Sequence, residues 1–98
     1  MASFNELINQ DKPVLLDFHA TWCGPCKMME PMIKELKHKV GDKASIIKID
    51  VDRNQVLASK LRVQGVPTLM LYKKGKVIWR DSGVQSVDFL EGLINQNQ

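Results

Sequence analysis

Two apolar runs with a helical segment between them constrain this chain most. Val14-Leu15-Leu16-Asp17-Phe18 reads as a strand buried on both faces, and Ala44 to Val51 as a second, with Ile46, Ile47, Ile49 and Val51 as its β-branched body. Between them Met29, Met32, Ile33, Leu36 and Val40 recur at helical spacing, which predicts a helix from about Pro25 to Val40 with one apolar stripe. A helix-length crossover leaves room for parallel pairing of the two strands, so the segment is a βαβ unit of right-handed sense. Pro31 lies inside the helix; it removes one backbone bond and is expected to kink the helix without ending it, because the stripe resumes beyond it.

The flanking sequence completes the pattern. Ser3-Phe4-Asn5-Glu6 fits a capping box that starts a short helix carrying Phe4, Leu7 and Ile8, and Asp11-Lys12-Pro13 ends it. Asn54 to Leu61 reads as a further helix. Thr68 to Tyr72 and Val77 to Arg80 read as an antiparallel hairpin turning at Lys73-Lys74-Gly75-Lys76. Gly83 breaks the last strand, and Ser86 to Asn95 forms a closing helix with Val87, Leu90 and Ile94 on its inner face. The expectation is an α/β chain of 98 residues folding as one domain, residues 1–98.

Charge and terminus narrow the function classes. Net charge is +3, but Lys34, Lys37, Lys39, Lys73, Lys74 and Lys76 are scattered without interleaved aromatics, which reads as solvated faces and not as a nucleic-acid surface. Met1 to Glu6 carries no basic segment followed by an apolar one, and no run approaches the length needed to cross a bilayer. A cytoplasmic protein is expected.

The only two cysteines, Cys23 and Cys26, stand three residues apart where the first strand gives way to the helix. In a reducing compartment such a pair is catalytic or metal-binding more often than structural. A disulfide closing so small a loop would stabilise by only about 2 kcal/mol before strain. A free thiol with a pKa near 8.5 is roughly 3% ionised at pH 7, so a reactive one needs local help. Cys23 has it at the N-terminal edge of the helix, where free N–H groups and the helix dipole favour an anion. Cys26, one turn further in, is expected to be shielded by packing. Gly24-Pro25 allows a tight turn, with Pro25 suited to a first helical position. Three readings remain open from the spacing: redox exchange, with Cys23 attacking and Cys26 resolving; half of a metal site; or an inert pair. His19 could give the metal reading a third ligand, but His38 lies about 18 Å away along the helix, so only a cluster shared between chains would complete it.

Asp17 is an acid inside an apolar strand. Burial would raise its pKa and make it a usable proton acceptor, and an ion pair with Lys48, itself between Ile47 and Ile49, is the alternative explanation.

Taken together, Asp17-Phe18, Ala20-Thr21-Trp22-Cys23-Gly24-Pro25-Cys26-Lys27-Met28, Pro31, Lys48, Gly65-Val66-Pro67-Thr68, Lys74-Gly75 and Gly83 resemble the thioredoxin family in order and spacing, over nearly the whole chain. The resemblance implies a three-layer α/β/α sandwich and a protein-disulfide reductase with no bound cofactor or metal. In it Cys23 is the nucleophile, Cys26 the resolving thiol, Asp17 the base toward Cys26 and Lys48 its modulator. It also implies a cis bond before Pro67 and a substrate-docking surface of Trp22, Gly24, Pro25, Gly65, Val66, Pro67 and Gly83. Gly-Pro between the cysteines is similar to reducing members. The implied partners are disulfide-containing proteins and an NADPH-dependent flavoprotein, thioredoxin reductase. The other classes to weigh are a redox-independent binding module or accessory subunit, and metal or Fe–S cluster binding between chains.

Three departures from the family pattern stand out. Only Met1-Ala2 precedes Ser3, where bacterial members usually carry another strand, so four strands and four helices are expected, with Ile46 to Val51 at a sheet edge able to recruit another chain. A monomer is expected, with an edge-strand dimer as the alternative. His19 stands where many bacterial members have tryptophan and is a candidate for tuning the site. Trp79 is also atypical and is expected to pack on the hairpin.

Overall fold

A computed structural model describes residues 3–98. Helix α1 (Phe4–Ile8) leads into strand β1 (Val14–His19), helix α2 (Gly24–Val40), a 3-10 turn at Gly41–Lys43, and strand β2 (Ser45–Asp50). Helix α3 (Gln55–Lys60), strands β3 (Thr68–Lys73) and β4 (Lys76–Ser82), and helix α4 (Val87–Gln96) follow. The sheet order is β2-β1-β3-β4. β1 pairs in parallel with β2 and antiparallel with β3, and β3 pairs antiparallel with β4, giving the expected mixed sheet of four strands.

Alternation along β1 divides the interior into two layers. Leu15 joins Leu69 and Leu71 on the face covered by Met29, Ile33, Leu36 and Val40 of α2 and Leu90 and Ile94 of α4. Val14, Leu16 and Phe18 point the other way, with Ile49, Met70 and Tyr72, toward Ile8 of α1, and Phe4, Leu57 and Leu61 close over them. Asp17 therefore shares the α2 face with Leu15. Trp79 meets Phe89 of α4 at a ring separation of 5.6 Å, and packs on the first layer as expected of a hairpin residue.

The local signals act as the sequence suggests, with some differences. The Ser3 hydroxyl accepts the Glu6 N–H, while the reciprocal bond from the Ser3 N–H to the Glu6 carboxylate is absent among the described residues. Helix α2 runs through Pro31 without ending. The hairpin turns through Lys74 (φ +52°) and Gly75 (φ +82°), the two left-handed residues a two-residue loop needs. β4 extends to Ser82, past the expected end at Arg80, because pairing continues to the Thr68–Ser82 register before Gly83 (φ +93°) turns the chain away. Arg80 reaches from β4 to the carbonyls of Leu61 and Arg62, which closes the end of α3. β2 is an outer strand, as expected, and is only half-buried where the sequence suggested a fully buried core strand.

Candidate active site

The cysteine turn sits at the carboxyl end of β1. Cys23 is the N-cap of α2 in an extended conformation, Gly24 and Pro25 are the first helical residues, and Cys26 follows within the first turn. Cys23 and Cys26 are joined as a disulfide with their Cα atoms 5.3 Å apart. The Cys26 N–H donates to Cys23 Sγ at 3.1 Å, so this sulfur occupies the position of a capping oxygen. The two cysteines are buried to similar extents, 4% and 6% exposed, and form a small apolar cluster with Ala20, Val51 and Val66. Cys26 is shielded by packing as expected, and Cys23 is shielded with it, so the difference between the two sulfurs lies in the helix cap and not in depth.

The segment before β3 completes one side of the site. The Val66–Pro67 bond is cis, as the resemblance implied. The Val66 carbonyl oxygen stands 3.6 Å from Cys23 Sγ. Gly83 donates its N–H to the Pro67 carbonyl at 2.9 Å, and the Thr68 hydroxyl donates to the Gly65 carbonyl, so both flanks of this segment are fixed. Trp22 is 68% exposed, and with Val51, Val63, Gln64, Gly65 and Val66 it lines a shallow depression of about 100 Å³. Its indole N–H donates to Asp52 at 2.9 Å, which fixes the ring over the start of the β2–α3 connection. Gly24 and Pro25 are exposed, whereas Pro67 is buried. Sequence reading missed Asp52, which lies 30 residues from Trp22 and carries no local signal.

On the α2 face of the sheet, Asp17 is 3% exposed, and its Oδ1 has no hydrogen-bond partner. Burial raises its pKa above the ordinary carboxyl value; the charges of His19, Lys48 and Lys37 oppose that rise and Glu30 adds to it. Lys48 is the register partner of Asp17, yet the ion pair suggested by sequence is not formed. The Lys48 ammonium lies instead 3.9 Å from Glu30 of α2. The reason is solvation: both groups of that pair stay partly in water, whereas reaching Asp17 would take the ammonium into the apolar layer. His19, half-buried at the end of β1, shares the face of Asp17 and is the register partner of Asp50. Among the described residues no three or more His, Cys, Asp and Glu side chains gather as a metal site would require. No helix of the described residues is long and apolar enough to cross a membrane.

Comparison with known proteins agrees with this geometry. The thioredoxin family model matches residues 1–96. Thioredoxin of Bacillus subtilis (strain 168) is 46% identical over 84 residues, covering 86% of this chain and 81% of that protein. Among solved structures, a mutant thioredoxin from Halobacterium salinarum NRC-1 superposes with a TM-score of 0.85 at 42% identity, over 95% of this chain and 80% of that one. The oxidized mitochondrial thioredoxin 3 of Saccharomyces cerevisiae gives a TM-score of 0.84 at 36% identity, over 95% and 86%. Nothing in the fold or the site favours a redox-independent module or a shared cluster. A cysteine pair closed as a disulfide at a helix start, on this sheet and with these relatives, makes the chain a thiol-disulfide oxidoreductase that reduces protein disulfides, and it belongs to the thioredoxin family.

Proposed function

We propose that Cys23 is the attacking sulfur and Cys26 the resolving one. The observation that carries this is the cap: Cys23 Sγ already receives the Cys26 N–H at 3.1 Å, and a charged sulfur accepts that bond and the helix dipole better than a neutral one. In the reduced protein the Cys23 thiolate attacks one sulfur of a substrate disulfide. A mixed disulfide forms and the other substrate sulfur leaves as a thiolate that takes up a proton. Cys26 then loses its proton and attacks Cys23 Sγ. The substrate leaves as a dithiol, and the Cys23–Cys26 disulfide carries the two-electron oxidation.

Asp17 is the group we assign to accept the Cys26 proton. It is buried on the face covered by α2, its free Oδ1 has no competing donor, and its burial-raised pKa makes it a stronger base than an ordinary carboxylate. Lys48 modulates it through its charge. An extended substrate segment pairs with the main chain at Val66, beside Cys23, with Trp22, Gly24, Pro25, Gly65, Pro67 and Gly83 shaping the docking surface.

The family as a whole acts on disulfide substrates and is reduced by thioredoxin reductase. In our reading this chain takes its electrons from an NADPH-dependent enzyme of that kind, works as a single domain and a monomer, and serves a reducing compartment such as the cytoplasm. The outer edge of β2 is where a second chain would add.

Insulin reduction tests the reading. Turnover is expected with NADPH plus thioredoxin reductase, and also with dithiothreitol, and it is expected to vanish in Cys23→Ser under both. Turnover with dithiothreitol alone would keep the chemistry and remove the flavoprotein partner. Full activity in Cys23→Ser would refute the assignment of the nucleophile.

A further inference from the structure

The ion pair between α2 and β2 bears on the acid beneath it. Charged groups near the carboxyl end of β1 form a small array. Asp17 and His19 alternate on one face of β1, opposite Lys48 and Asp50 of β2, and α2 contributes Glu30 and Lys37 from above. β3 offers only the apolar Leu69 as register partner of Asp17, and α4 brings Leu90 and Ile94 to the same layer. Within this array one cation, Lys48, stands between two carboxylates. It is the backbone neighbour of Asp17, but its ammonium lies 3.9 Å from Glu30.

We propose that Glu30 is a positioning residue for the reductase: by holding the Lys48 ammonium at the partly solvated rim of α2, it keeps that charge off the Asp17 carboxyl. The inference rests on the reading of Asp17 as the proton carrier, and it adds a residue that adjusts how strongly Asp17 holds its proton. A lysine folded onto Asp17 would stabilise the carboxylate and weaken it as a base. A lysine drawn outward leaves Asp17 oxygens without a strong partner, which agrees with the unpaired Oδ1. Glu30 is placed for this by helix geometry, since it follows Cys26 by four residues and so lies one turn along the same side of α2. Its own negative charge acts in the same direction.

The test uses the full chain in its disulfide form, where neither cysteine titrates, with carbon-13 label in the aspartate carboxyls. The pH midpoint of the Asp17 resonance is followed in the parent, Glu30→Gln, Lys48→Met and the double variant. Glu30→Gln is expected to move the midpoint to lower pH, weakening proton affinity by about two- to five-fold, the range for a partly exposed ion pair. In the Lys48→Met background the same change is expected to have a much smaller effect. An unmoved midpoint in Glu30→Gln would overturn the proposal, as would an equal movement with and without Lys48. Insulin reduction by the same variants separates this proposal from the reading it rests on. If the midpoint moves and the pH profile of reduction moves with it, both stand. If only the resonance moves, Glu30 still sets Asp17 and the assignment of Asp17 as the base for Cys26 falls.

Discussion

Replacing Asp17 by leucine should make the protein more stable and less active at once. In the folded chain Asp17 is 3% exposed with Oδ1 unpartnered. Leaving a buried acceptor unsatisfied costs about 1–3 kcal/mol, more when it is charged. Leucine branches at the same carbon, so two methyl groups take the place of two oxygens. Burying its apolar surface contributes about 1.5–3 kcal/mol, and its greater volume in a packed layer costs about 1–3 kcal/mol. These last two nearly cancel, and the removed desolvation leaves a gain of about 2 kcal/mol near neutral pH. For a chain of this size that raises Tm by roughly 8–16 °C.

The pH dependence gives the sharper check. Burial raises the folded-state pKa of Asp17 above its unfolded value of about 3.9, so the folded state holds this proton more tightly. Parent stability therefore falls as pH rises from the unfolded value through the folded one, and the full penalty is present only above the folded pKa. The leucine variant lacks this slope, so its advantage should grow from pH 4 to pH 9 in thermal or urea unfolding of the disulfide form. Reduction of insulin at pH 7 should slow by about 30-fold, the factor for a thiol of ordinary pKa that is roughly 3% ionised without a base. A variant no more stable than the parent at high pH, or equally advantaged at both ends, would refute the argument.

Two further substitutions probe the frame around the site. Gly83 has φ +93° with open space where a Cβ would stand, so Gly83→Ala should cost about 1–2 kcal/mol of conformational strain alone, read as a lower urea midpoint at unchanged m. The Ser86 hydroxyl caps α4 by accepting the Phe89 N–H at 3.1 Å, and Ser86→Ala should lower stability by about 1 kcal/mol, or roughly 4–8 °C in Tm, with insulin reduction preserved.

The βαβ unit and the hairpin are legible because their signals are local: an apolar stripe at helical period, β-branched runs, and Lys74-Gly75 between paired strands. The exchange of electrons at Cys23 and Cys26 is legible from spacing and from the resemblance. What the residues alone do not disclose depends on contacts between segments distant in sequence. Val66, 43 residues from Cys23, entered the expected docking surface only through the resemblance. The cis bond before Pro67 followed only from the resemblance, since the residues themselves favour trans. The pairing of Lys48 with Glu30 was missed because strand register sets which backbones are neighbours, whereas solvation decides where a long ammonium side chain ends. That Cys23 is buried as deeply as Cys26 carried no signal, because helix position says little about depth near a loop.

β1 feeds both layers of the interior, Leu15 one and Val14, Leu16 and Phe18 the other, and Ala20 just beyond its end joins the patch around the cysteines. That makes it the strand on which a folding error would do most damage. A slip by one residue would exchange the two layers and drive the Asp17 carboxyl among Phe4, Met70 and Tyr72, where neither Lys48 nor the rim of α2 could moderate its charge. The acid at Asp17 thus also guards against misfolding: chains that pair β1 wrongly bury a charge beside Phe4 and Tyr72 and are driven back toward the native arrangement.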